Sequence, residues 1–418
     1  MRYGPALWRI PPSWTTPLRL PAALLLVLAG LLSSCGGGGG GGGDVASTPV
    51  LPPLVTSLGA QNYVPVTVEA ALNLNVNIPT VSVTLCEPGT NTCQTIDRIQ
   101  LDTGSTGLRV FDTAVTAINL AAKTYSNGQP LATCARFVNS YTWGAVRTAD
   151  IRLADEIARN IPVQLIAASA PAARVGCGPD FMAVTSSNDL GANGILGVGR
   201  LPHDAQSYYT CTTLSDASTC TEVALISSAY QVKNPVAGFA TNNNGVLLEL
   251  PAISASGALR VTGRLIFGVD TQDNNRLASA NVVPINSFGY FTTTYKGVAM
   301  PDSYFDSGSN GLFFNDASLP RCSGSASDFY CPASTTALSA TLPLSDGSSA
   351  TVNFSVANLA ALVATGNFAY ANLAGGGISG SSFDWGMPFY YGRRVFTVMV
   401  SKTVGSRSGP FNAYAPLD

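Results

Sequence analysis

Apolar and polar residues alternate almost without a break over residues 64–78, which puts Val66, Val68, Ala70, Leu72, Leu74, Val76 and Ile78 on one face. That is the period of a half-buried strand. A second strand over 81–85 runs into the turn EPGTNT, and short strands recur in ADIRLAD, NIPVQLI, GVLLEL, GRLIFGV and VFTVMV. Helical spacing is confined to two short stretches, 112–122 and 356–365. Abundant glycine (42 residues) with only 11% charged residues points the same way, since Lys and Glu, the usual occupants of exposed helix faces, are scarce. The pattern predicts an all-β chain.

One strand ends unusually. Ile99 and Leu101 lead into LDTGSTGL, and much later the chain repeats the pattern as FDSGSNGL, with Asp306 in the place of Asp102. An Asp-Gly turn taken singly is a surface hairpin. Two copies of the same eight residues are not two coincidental turns. GILG (194–197) follows the first copy and GISG (377–380) the second, so the order of elements is doubled too. A duplicated half with its special residue duplicated implies a site between the halves. The loop TNNNG marks the division, which gives halves of 62–238 and 239–418.

The N-terminus reads as an address. Arg2, Arg9 and Arg19 precede an apolar stretch over 20–32 that ends in LSSC, similar to a bacterial lipoprotein signal of residues 1–35 whose Cys35 is lipidated after cleavage. Gly36–Gly43 follow, then a Pro-rich stretch, so 36–61 is a tether; its eight glycines reach at most about 28 Å. A lipid-anchored protein of the bacterial cell envelope, facing the periplasm or the exterior, is the expected setting. The remaining eight cysteines support export. Close spacing pairs Cys86 with Cys93, Cys211 with Cys220 and Cys322 with Cys331, leaving Cys134 for Cys177. With no CxxC and a single histidine, no metal site is expected. A net charge of −2 without basic runs argues against a nucleic-acid partner. No cofactor is implied, since the glycine run lacks the strand and the Lys-Ser/Thr of a phosphate loop. His203, in the polar stretch RLPHDAQ, is expected to be solvated, and no Ser-His elbow or HExxH accompanies it.

With these motifs the chain resembles the pepsin-like aspartic peptidases from about residue 72 to 411. LDTGSTGL and FDSGSNGL look like their two catalytic loops, GILGVGR like the segment threading past the first, YTWGAVRTADIRL like the flap, and GISGSSFDWGMPFYYGRRVFTVM like the closing segment of the second lobe. More narrowly it resembles uncharacterised bacterial lipoproteins distantly related to those enzymes, which lend no activity. The resemblance implies a bilobal fold with pseudo-twofold symmetry, a monomer, and a peptide or protein substrate. It implies catalytic roles for Asp102 and Asp306, loop-tying hydroxyls at Thr103 and Ser307, close backbone approach at Gly104 and Gly308, and carboxylate-orienting hydroxyls at Ser105 and Ser309.

Three positions depart from that pattern. Arg109 stands where an aromatic usually follows the first loop, Trp143 replaces the flap tyrosine, and Ser381 replaces an acidic residue after the second Gly-x-Gly segment. A cation beside two carboxylates would favour double ionisation and oppose acid catalysis. Residues 21–97 contain no Lys or Arg, so no basic inhibitory segment is recognisable. The chain is then either active as made or a peptidase-like module that binds a peptide, a glycan or another envelope protein.

Cys35→Ala expressed in a bacterial host is expected to release the protein from the membrane or leave it unprocessed. Fractionation checks this, and unchanged membrane partitioning would rule the anchor out.

Overall fold

The computed structural model describes residues 61–168, 177–178, 181–224 and 226–417. The signal segment, Cys35 and nearly all of the tether lie outside these residues. The described chain is almost entirely β, as the alternation predicted.

Each half is built around one wedged strand. In the first, Cys93–Asp102 runs parallel to Gly194–Val198, with Leu101 opposite Leu196 and Asp102 opposite Gly197. The chain turns through 103–105 and returns as Thr106–Phe111 along the other edge of the same strand, antiparallel, with Leu108 opposite Leu196. The second half repeats this arrangement. Val298–Phe305 is parallel to Asp384–Trp385, with Phe305 opposite Trp385, and Leu312–Phe313 returns antiparallel on the other edge, with Leu312 opposite Trp385.

The counterpart of GILG is therefore FDWG, residues 383–386, and not GISG. A wedged strand is covered on both faces, and residues 383–386 are fully buried, whereas Gly377, Ser379 and Gly380 are exposed in a turn. Both wedges need glycine beside the loop. A Cβ at Gly197 would lie 2.6 Å from the Thr106 nitrogen, and one at Gly386 would lie 2.1 Å from the Gly311 carbonyl oxygen.

The two halves share a sheet. Tyr63–Val68 pairs with Val261–Phe267 along its whole length, followed in order by Gly245–Leu250, Arg393–Val398, Phe411–Pro416 and Asn281–Pro284, all antiparallel. Val64, Val66 and Val68 point into the main core. The second half is packed with aromatic rings, Phe383 stacking on Trp385 at 4.2 Å and on Phe314 at 4.6 Å. All four expected disulfides are present: Cys86–Cys93, Cys134–Cys177, Cys211–Cys220 and Cys322–Cys331.

Two sequence expectations give way to local hydrogen bonding. The strand expected over 64–78 ends at Val68. Asn73 and Asn75 make a side-chain turn, and Leu74 and Asn77 take φ of 61° and 57°, which breaks the alternation and leaves Leu72 and Leu74 exposed. The helix expected over 112–122 stops after the single turn Asp112–Ala114. No side chain caps it, and the Thr116 and Ala117 N–H groups donate to Gln94 Oε1 instead of continuing a helix. The second helix forms as Leu359–Val363, with the Asn358 side chain accepting from the Ala360 and Ala361 N–H groups.

Asn77 repays its left-handed backbone by joining the halves. Its side chain donates to the carbonyls of Asn310 (2.8 Å) and Tyr370 (2.9 Å) and accepts from the Tyr370 N–H (2.7 Å) and the Tyr391 hydroxyl (2.8 Å), all buried. Asn77→Gly keeps the backbone conformation accessible and removes the side-chain bonds, so it isolates their contribution. A loss of about 2–4 kcal/mol is expected from the buried groups left unpaired, measured by chemical denaturation.

Candidate functional site

The doubled wedge brings Asp102 and Asp306 together at the junction of the halves. The loops are locked reciprocally: the Thr103 N–H donates to Ser307 Oγ at 3.1 Å, and the Ser307 N–H donates to Thr103 Oγ1 at 3.0 Å. Ser307 Oγ donates onward to the Leu101 carbonyl at 3.0 Å. The symmetry breaks at Thr103, whose hydroxyl shares a 2.8 Å hydrogen bond with the Tyr390 hydroxyl. Gln100 Nε2 adds a further tie to the Gly308 carbonyl at 3.0 Å.

The carboxylates differ in their surroundings. Asp102 Oδ1 accepts from the Gly104 and Ser105 N–H groups at 2.8 and 3.1 Å, but its Oδ2 receives no hydrogen bond from an N–H or hydroxyl donor. Asp306 is served on both oxygens, Oδ1 by the Gly308 N–H at 2.7 Å and Oδ2 by the Ser309 hydroxyl at 3.0 Å. Ser105, the counterpart of Ser309, lies beside Asp102, where its hydroxyl favours the carboxylate without making a hydrogen bond of ordinary length. The absence of a side chain at Gly104 permits this approach, since a Cβ there would sit 2.7 Å from Asp306 Cγ.

Both side chains are fully buried and in hydrogen-bond contact with each other. Burial, reinforced by the Asp306 charge, pushes Asp102 well above the usual carboxylate range; burial pushes Asp306 up as well. Two such acids hold one proton between them. Asp306, with donors on both oxygens, is the better supported of the two as an anion, and the pair titrates as a unit.

A third acid, Asp384, lies on the wedge strand opposite Tyr304. It is fully buried beside the Ser309 and Tyr304 side chains, yet neither of its oxygens takes a hydrogen bond of ordinary length. Burial first, and then the Asp306 charge, hold it well above the usual carboxylate range. The corresponding residue of the first half is the apolar Ile195. Alignment to FDWG rather than GISG would have exposed Asp384 in the sequence.

The dyad opens onto a cavity of about 360 Å³, whose lining includes Gly104, Asp306, Arg200, Phe137, Tyr290 and Tyr304. Arg109 sits at its edge but is neutralised. Its guanidinium meets Asp204 at 2.5 Å and Gln164 Oε1 at 2.9 Å, and the Tyr208 hydroxyl donates to the other Asp204 oxygen at 2.5 Å. The cation that opposed acid chemistry in the sequence thus has its own buried counterion, 95 positions away in the chain.

Trp143 is not brought to the dyad. It is buried in the hairpin of Leu131–Arg136 and Ser140–Leu153, against Tyr209 at 5.1 Å, and Phe137, in the turn of that hairpin, is the residue that lines the cavity. Ser381 hydrogen-bonds Asp302 at 2.6 Å in a surface turn; the residue following the wedge glycine is Met387. His203 is half-buried and pairs through its backbone with Lys233. Among the described residues no cluster of three or more His, Cys, Asp or Glu side chains is arranged to hold a metal. Nor, among them, is any helix long and apolar enough to cross a membrane.

A family described as a protein of unknown function (DUF3443) matches residues 59–414, and the chain belongs to it. No curated protein matches the chain. Among solved structures, an aspartic proteinase from Irpex lacteus is similar at 15% identity, over 85% of this chain and 96% of its own, with a TM-score of 0.47.

The surroundings of Asp384 set a pH dependence. Its folded proton affinity exceeds the unfolded one, so stability is complete below the usual carboxylate range and declines as pH rises, because the folded chain retains a proton that the unfolded chain releases. Asp384→Asn removes this decline. Its melting temperature is expected to exceed that of the parent by a few degrees at pH 7 and to converge with it toward pH 3. Thermal unfolding across that range checks this, and a variant less stable at every pH would contradict a neutral Asp384.

Proposed function

We propose that the protein is an aspartic endopeptidase that hydrolyses peptide bonds of extended peptides lying in the cavity between its halves. The contact pair of buried carboxyl groups, Asp102 and Asp306, carries this reading. Holding two acids together in a buried site is costly unless a proton is shared, and a structure that needed only shape would gain nothing from it. Asp306, ionised and supported by the Gly308 N–H and the Ser309 hydroxyl, takes a proton from a water molecule, which attacks the peptide carbonyl carbon. Asp102 donates a hydrogen bond to the developing oxyanion, and the proton taken from water passes from Asp306 to the leaving nitrogen as the C–N bond breaks, which leaves Asp102 protonated and Asp306 ionised as at the start. Water is the nucleophile, so no acyl-enzyme forms. We further propose that the protein is a monomer of the bacterial cell envelope, held by lipidated Cys35 and facing the periplasm or the exterior.

The test is to incubate the purified protein with a mixed peptide library from pH 3 to 7, with and without a statine-type inhibitor. Cleavage is expected to be inhibited by the statine and to fade as pH rises and the pair loses its shared proton. Asp102→Asn and Asp306→Asn should each reduce cleavage by about a thousandfold while leaving the fold intact by circular dichroism. Full activity in either variant, or cleavage indifferent to the inhibitor, would sink the mechanism. No cleavage at any pH would favour the binding module, with a peptide, glycan or envelope protein as its ligand.

A further inference from the structure

Arg200 is placed by the threading that builds the first loop. A Cβ on the preceding Gly199 would lie 2.6 Å from the Ser105 carbonyl oxygen and 2.8 Å from that of Thr103, and the Gly199 N–H donates to Ser105 O at 2.8 Å. On the other side, the Arg200 carbonyl accepts from the Val400 N–H at 2.9 Å. The backbone is therefore pinned between the dyad loop and a segment of the second half. The side chain then passes Gly289, where φ is +92° and a Cβ would lie 2.4 Å from the Arg200 Nε. Glycine at 289 leaves the guanidinium a path into the cavity that Asp306 also lines.

The two arginines of this cavity differ in one respect. Arg109 is matched by Asp204, whereas Arg200 takes part in none of the ion pairs among the described residues. It is half-buried, and of the acids that line the cavity Asp204 is matched by Arg109 and Asp306 belongs to the dyad, neither forming an ion pair with Arg200. An arginine stays protonated even when partly desolvated. A cation held out of water without a counterion can regain by pairing with a ligand anion what burial has cost, and a planar guanidinium suits a carboxylate in particular.

We propose that Arg200 is a carboxylate-binding subsite of the cavity, selecting peptides that place an acidic side chain or a free C-terminal carboxylate beside the dyad. This rests on the reading that the cavity accepts peptide. The two sources share one chemistry and differ in where the peptide ends, which would set whether cleavage is internal or near a chain terminus.

The test measures binding apart from catalysis. Three statine-centred hexapeptides are titrated calorimetrically against the whole protein: one neutral and blocked at both ends, one with a single Glu and blocked ends, and one neutral with a free C-terminal carboxylate. At least one charged peptide should bind about tenfold more tightly than the neutral one. Arg200→Gln should abolish the preference while leaving affinity for the neutral peptide unchanged, and Arg200→Lys should retain part of it, which guards against a variant that merely misfolds. Whichever charged peptide is preferred identifies the source. Equal affinity for all three, a preference that survives Arg200→Gln, or no binding by any of them overturns the proposal. Cleavage of the corresponding ordinary peptides is followed in parallel. Discrimination without cleavage would leave the subsite standing and remove the peptidase; cleavage without discrimination would do the reverse.

Discussion

The crossed hydrogen bonds between Thr103 and Ser307 are the constraint on which the rest of the site depends. They join loops 204 residues apart in the chain, and each satisfies a buried backbone N–H that has no ladder partner to turn to. Because each hydroxyl accepts from the opposite main chain, neither loop can shift without stranding a donor on the other. The carboxylates are positioned by backbone rather than by flexible side chains, and the aromatic stack behind Trp385 and the aliphatic core behind Leu196 keep that backbone in place. Gln100 and Asn77 extend the same device outward, each sending a side chain of the first half to a carbonyl of the second.

The grip is nearly symmetric, but its electrostatic consequences are not. Asp306 has donors on both oxygens and Asp102 on one, and the second half adds a third acid where the first has isoleucine. Three buried acids within one constellation can remain so only by keeping protons, so the junction is most stable where carboxyl groups are least ionised. Elsewhere the protein handles buried charge by pairing it, as Arg109 with Asp204, or Glu249 with Arg264 and Arg394. At the centre the acids instead face one another and share a proton.

Much of this was legible in the chain because it was written twice. The repeated Asp motif gave both loops, and the cysteine spacing gave all four bridges. What escaped the sequence was set by partners far along the chain. Arg109 reads as an obstacle until Asp204 is known to neutralise it. GISG resembles GILG in letters, but strand position is decided by burial on both faces, which FDWG has and GISG lacks. The alternation through Leu72 and Leu74 imitates a strand although Asn73, Asn75 and Asn77 bend the backbone away, because side-chain capping of turns leaves no periodic trace. Trp143 matches a flap by position and a core residue by contact, and here contact with Tyr209 decides where it points.

Tyr63–Val68 finds its full-length partner only in Val261–Phe267. Synthesis therefore delivers the valine-rich strand early and its neighbour much later, and in the interval an apolar edge has nothing native to pair with. The first half can assemble its own wedge beforehand, yet the sheet beneath both halves closes only once the chain has passed Phe267. During synthesis, the interval between those two strands is when this protein most needs another molecule to shield it.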